Sequence, residues 1–135
     1  MESFQKRTTA RRDEVLGTLE ELQAFLSERA LEPRTRNAVE VAAEELLSNV
    51  SKYGFPEGLP GEVSFAVELG PGGVRLEIRD SGRPFDPTAA PPPPELTLDA
   101  EPGGRGLLLV RGLSGSMTYR RDGPLNVLVV EFPSP

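Results

Sequence analysis

Up to Tyr53 the apolar residues of this chain recur with a helical period, and from Val63 onward they alternate. Val15, Leu19, Leu22 and Leu26 are spaced by four, three and four residues, with Leu16 and Phe25 widening the stripe. Val39, Ala43, Leu46, Val50 and Tyr53 repeat the pattern. Such spacing turns one face of each helix toward a core. Pro33 suits the first turn of the second helix, where a missing N–H costs little, and Gly54 and Pro56 end it. Val63, Phe65, Val67 and Leu69, then Val74, Leu76 and Ile78, predict an antiparallel hairpin with one polar face. The glycines of the connecting Gly70-Pro71-Gly72-Gly73 permit the positive φ that a tight turn needs.

From Asp86 to Pro102 the periodicity disappears, and the four prolines 91–94 forbid a helix while favouring extended backbone. A loop of this length inside a small domain is usually functional or disordered. After glycines 103, 104 and 106, residues 107–113 read as a short third helix. Two closing strands, about Ser116 to Arg121 and Leu125 to Phe132, turn at Asp122-Gly123, and Phe4 to Thr8 reads as a short edge strand. The expected architecture is α+β: a two-layer sandwich over residues 1–135, with about three helices on one face of a mixed, mostly antiparallel sheet.

Composition narrows the chemistry. With 135 residues, one domain with a modest core is the expectation. A net charge of -6 opposes binding along a phosphate backbone, so nucleic acid is not an expected partner. The chain has neither cysteine nor histidine, which removes disulfides, thiolate chemistry and the usual zinc sites. No segment approaches the roughly 20 apolar residues that span a bilayer, and the N-terminus lacks a signal-like apolar core, so the reading is cytoplasmic and without a membrane partner.

Three groups of residues carry chemistry. Glu45, Asn49 and Lys52 lie on one helical stripe, about 100° around from the stripe of Leu46 and Val50. An Asn oxygen is a hard neutral ligand for Mg2+, Glu45 can orient or deprotonate a nucleophile, and Lys52 can face phosphate. Taken alone, the same pattern is what a solvated helix face gives. Asp80 ends a predicted strand, followed by Ser81 and Gly82. A carboxylate there can accept from the exocyclic amine of adenine, and a residue without Cβ lets a base lie against backbone. An ordinary Asp-Ser-Gly turn has the same residues. Gly103, Gly104 and Gly106, with Arg105 among them, precede an apolar helix and can turn N–H groups and a guanidinium toward an anion. No Gly-Lys-Ser/Thr follows, so this is not a P-loop.

In this order, EELLSNVSKYG, RDSGRPFDP and GGRGLLLV resemble the N box, the aspartate-glycine box and the second glycine box of the GHKL ATPases, which have the Bergerat fold. That superfamily includes gyrase, MutL and the histidine kinases. Over nearly the whole chain, the closest resemblance is to the anti-sigma regulatory serine kinases of the RsbW/SpoIIAB type. The resemblance implies that Asn49 coordinates Mg2+, that Glu45 is the catalytic carboxylate, and that Asp80 and Gly82 recognise adenine. It implies that Gly104, Arg105 and Gly106, with Lys52 and Tyr53, contact ATP, and that residues about 86–103 form its lid.

The implied function is an ATP-dependent protein-serine kinase acting as an anti-sigma factor. It would phosphorylate a STAS-type anti-anti-sigma protein, with a sigma factor as second partner and a homodimer as the expected assembly. The alternative is a non-catalytic ATP-binding module that sequesters a regulatory partner.

Overall fold

The computed structural model describes residues 2–55, 61–88 and 110–134, apart from the side chain of Tyr53. Its elements are β1 (Glu2–Thr9), α1 (Arg12–Ser27), α2 (Pro33–Tyr53), β2 (Glu62–Gly70), β3 (Gly73–Asp80), β4 (Ser116–Asp122) and β5 (Leu125–Pro133). The strands form one five-stranded sheet in the order β1-β2-β3-β5-β4, and each described pairing is antiparallel. The expected edge strand exists and is longer than the sequence suggests. Of the expected third helix, only the turn at 110–113 lies among the described residues. Most of the proline-rich loop lies outside them.

The alternation seen in the sequence becomes a buried sheet face. Val63, Phe65 and Val67 of β2, Val74, Leu76 and Ile78 of β3, and Leu128, Val130 and Phe132 of β5 are all buried in one cluster. Register aligns them in rows: Phe65 opposite Ile78, Ile78 opposite Leu128, and Leu128 opposite Tyr119. Side chains alternate between faces at every step. The row beyond therefore carries Val63, Asp80, Asn126 and Arg121 on the same inward side. At this end of the sheet the core turns polar.

Over that face α2 packs against β3 and β5, and α1 packs against α2 and β1. Val39, Ala42, Ala43, Leu46 and Leu47 are buried on α2, and Val15, Leu22 and Leu26 on α1. Leu16, expected to widen the α1 stripe, instead stands 51% exposed. Buried Thr18 takes part in the packing, its hydroxyl donating to the Glu14 carbonyl at 3.0 Å and so meeting its hydrogen-bond need inside the helix.

Two junctions hold the layers in place. Before α1, the Glu14 carboxylate accepts from the Thr9 N–H at 3.0 Å and from the Thr9 hydroxyl. The hydroxyl bond first, and the N–H bond with it, hold the Glu14 carboxyl below its ordinary range. Between β2 and β3, Gly73 adopts φ +133, and a Cβ there would lie 2.1 Å from the Phe132 carbonyl oxygen. Glycine is required there both by conformation and by the approach of β5.

Candidate functional site

The polar end of the sheet opens into a cavity beneath α2. Leu46, Val50, Ile78, Phe85, Pro87, Tyr119 and Leu128 form its apolar walls, and Asn49, Gly54, Asp80 and Asn126 complete the lining. Its volume is about 40 Å³, where one ordered water needs roughly 10–15 Å³ on the same measure. The inner end thus suits water or a small polar group, and the bulk of any ring system would rest at the mouth.

Asp80 is 6% exposed, held in by the strand phase that buries Leu76 and Ile78. Its Oδ1 accepts from the Gly82 N–H at 2.9 Å and from the Asn126 amide at 3.0 Å. Its Oδ2 has no hydrogen bond to any described residue. Asn49 is also 6% exposed, lines the cavity, and its side chain makes no hydrogen bond among the described residues. Both residues line the same cavity, and among the described residues Asp80 Oδ2 and the Asn49 side chain keep acceptor and donor capacity that no neighbour uses. That combination is the site's main chemical property.

Gly82 does not line the cavity. A Cβ on it would meet the Gly54 carbonyl oxygen at 2.4 Å and Asp80 Oδ1 at 2.8 Å. The residue is small so that the turn after β3 can press against the end of α2, where the Arg83 N–H donates to the Gly54 carbonyl at 2.9 Å. The structure thus gives Gly82 a reason different from close approach of a base.

Along α2, Glu45 is half-buried on the Asn49 side, whereas Glu44 faces a groove shared with α1, which separates the two adjacent carboxylates. Lys52 is exposed. Tyr53 closes the helix backbone. Gly104, Arg105 and Gly106 lie outside the described residues, so the fold brings together Asn49, Asp80 and, through its backbone, Gly82. Among the described residues no group of three or more Asp, Glu, His or Cys side chains gathers as a metal site.

Sequence reasoning missed Asn126. This residue is 5% exposed and satisfies nearly all its capacity. Its amide group donates to Asp80 and, at 2.9 Å, to the Arg83 carbonyl. Its oxygen accepts from Arg121 Nη1 at 3.0 Å, from the Phe85 N–H at 3.4 Å and from the Tyr119 hydroxyl. Arg121 also donates to the Gly82 carbonyl at 2.9 Å, and Arg111 donates to the carbonyls of Pro87 and Thr88 at 2.7 and 2.6 Å. Asn126 therefore fixes the Asp80 carboxylate and the chain leaving it. The only sequence signal was an Asn inside an otherwise apolar strand, at the step where the phase points inward.

Known proteins are similar to this chain in sequence or in fold. The profile of the family described as histidine kinase-like ATPase domain matches residues 8–132. The serine/threonine-protein kinase BtrW of Bordetella bronchiseptica is 33% identical over 105 residues, covering 76% of this chain and 74% of that protein. The fold is similar to that of the RsbU and RsbW domains of Rv1364c from Mycobacterium tuberculosis (TM-score 0.71, 14% identity, 100% of this chain). It is also similar to the histidine kinase domain of the blue-light activated histidine kinase from Erythrobacter litoralis EL346 (TM-score 0.59, 17% identity, 90% of this chain). The chain spans 34% and 59% of those two solved chains. With the family profile covering nearly all of its length, the chain belongs to the histidine kinase-like ATPase domain family.

Proposed function

We propose that this protein is an ATP-dependent protein-serine kinase of the anti-sigma type, working in the cytoplasm as a homodimer. In this reading it phosphorylates a STAS-type anti-anti-sigma partner and alternately holds a sigma factor. The observation that carries the nucleotide part is that Asp80, its Oδ1 fixed by Gly82 and Asn126, and Asn49 are buried residues lining one largely apolar cavity, where neither Asp80 Oδ2 nor the Asn49 side chain is engaged by another described residue. The kinase part is supported by the 33% identity to a protein named as a serine/threonine kinase.

When bound, ATP with Mg2+ supplies the transferable phosphoryl group. Asp80, fixed through Oδ1 by Gly82 and Asn126, would accept from the adenine amine through Oδ2. Leu46, Ile78 and Leu128 keep water from the base and strengthen that bond by lowering the local dielectric. The Asn49 oxygen, a hard neutral donor, would be the chain's own group for holding Mg2+. Glu45, one turn earlier, orients the incoming serine hydroxyl and takes its proton. In this reading Lys52, Tyr53, Gly104, Arg105 and Gly106 would contact the phosphates, and residues about 86–103 would serve as the lid. Charge added to the partner serine, about -1.5 to -2, weakens the partner complex.

Incubation with labelled ATP and candidate STAS proteins tests the reading. The unaltered chain should label its partner, Asn49→Ala and Asp80→Asn should bind ATP poorly, and Glu45→Gln should bind ATP but transfer little phosphate. ATP binding together with partner binding, but without any phosphorylation, would replace the kinase by a non-catalytic sequestering module.

A further inference from the structure

The face of the helical layer away from the nucleotide site carries a second recognition feature. α1 and α2 are joined through a short turn at 28–32 and lie side by side, as short connections between helices dictate. Along their seam runs a groove of about 320 Å³. Leu16, 51% exposed, stands on its edge, and half-buried Leu19 and Val41 form its floor. Glu20, Glu40 and Glu44 rim it, and none of the three makes an ion pair or hydrogen bond with another described residue. The periodicity of α1 counts Leu16 as core, yet no described element covers it.

We infer that this groove docks a basic amphipathic helix of a partner protein. Apolar side chains at i, i+3, i+4 and i+7 of such a helix lie on one face and seat in a seam between two helices. Lysines or arginines flanking that face meet the three carboxylates, and the chain's net charge of -6 favours their approach. A neutral or acidic helix would bring no compensation to the rim. The surface is independent of the kinase assignment, because Glu44 and Leu16 face away from the cavity that Asn49 lines.

The test uses the full chain and a fluorescent synthetic Leu/Lys peptide with leucines at helical spacing, against a scrambled peptide of equal composition. Backbone amide shifts should concentrate in residues 16–23 and 37–44, and affinity should fall with added salt. Leu16→Asp, at an exposed position, should keep the circular dichroism of the parent and weaken binding by about tenfold or more. The triple change Glu20→Gln, Glu40→Gln, Glu44→Gln should also weaken it and flatten its salt dependence. Equal binding of the scrambled peptide, unchanged affinity in Leu16→Asp, shifts centred elsewhere, or no saturable binding would overturn the inference. So would the same shifts appearing with protein concentration alone, which would make a second copy the occupant.

Discussion

Replacing Asn126 by Ala removes a side chain with five hydrogen-bond contacts at a position only 5% exposed. Not all of these carry equal weight. The Phe85 contact is long at 3.4 Å, and Arg121 retains the Gly82 carbonyl. The bond to the Asp80 carboxylate involves a charged acceptor, worth about 1.5–3 kcal/mol. The Arg83 carbonyl loses its amide donor, but Arg83 is exposed and water can substitute. The expected destabilisation is therefore about 2–4 kcal/mol, a large part of the ~5–15 kcal/mol that holds a typical domain folded. Urea unfolding should show it as a lower midpoint with unchanged slope. Asp80 Oδ1 keeps only the Gly82 N–H and can rotate, so nucleotide affinity, measured calorimetrically below the unfolding transition, should fall about tenfold. A variant that loses stability yet binds ATP as well as the parent would refute the positioning role. One that loses neither would refute the network's energetic importance altogether.

Other consequences follow from particular contacts. Gly82→Ala places a methyl group against the backbone oxygen of Gly54, and should lower stability by about 1–3 kcal/mol or more in thermal denaturation. Gly17→Ala, in the interior of α1 with nothing within 4 Å of the new methyl, should instead gain roughly 0.5–1 kcal/mol. If both glycines respond alike, the clash argument is wrong. Phe65→Ala, at a fully buried ring of the central cluster, should cost about 3–5 kcal/mol by the same measurement.

Glu14 gives a pH test. Its folded carboxyl lies below the ordinary range, so its contribution to stability is present above the unfolded pKa and disappears as pH falls through the folded one. Unfolding midpoints of the parent and Glu14→Gln should differ at neutral pH and converge in acid. A gap that stays constant across pH would assign the effect to packing.

Period and punctuation in the sequence sufficed for the elements. Val39, Ala43 and Leu46 are spaced for one face of α2, and that face is buried. Val63 to Leu69 and Val74 to Ile78 alternate, and they pair as a hairpin in the register that keeps all their inward residues together. These are local properties, decided by helix and strand geometry whatever the rest of the chain does. Asn49 and Asp80 were also legible as candidates, because a polar residue at an inward or border position needs a partner.

Tertiary structure decided what those positions mean. Leu16 fits the α1 stripe by spacing, but only the placement of α2 determines how wide a stripe is covered, and Leu16 falls outside it. Gly82 reads as a ligand-facing glycine, yet its neighbour is the carbonyl of Gly54, 28 positions earlier in the chain. Asn126 stands 46 residues from Asp80 and meets it because β5, rather than β4, the next strand in the chain, pairs with the free side of β3. Such a contact depends on strand order, which periodicity along one strand does not encode. The sequence alone determined the two long helices, the hairpin and most of the core positions, because period is local, whereas the sheet's non-sequential pairing assembled the carboxylate, its amide support and the cavity they line.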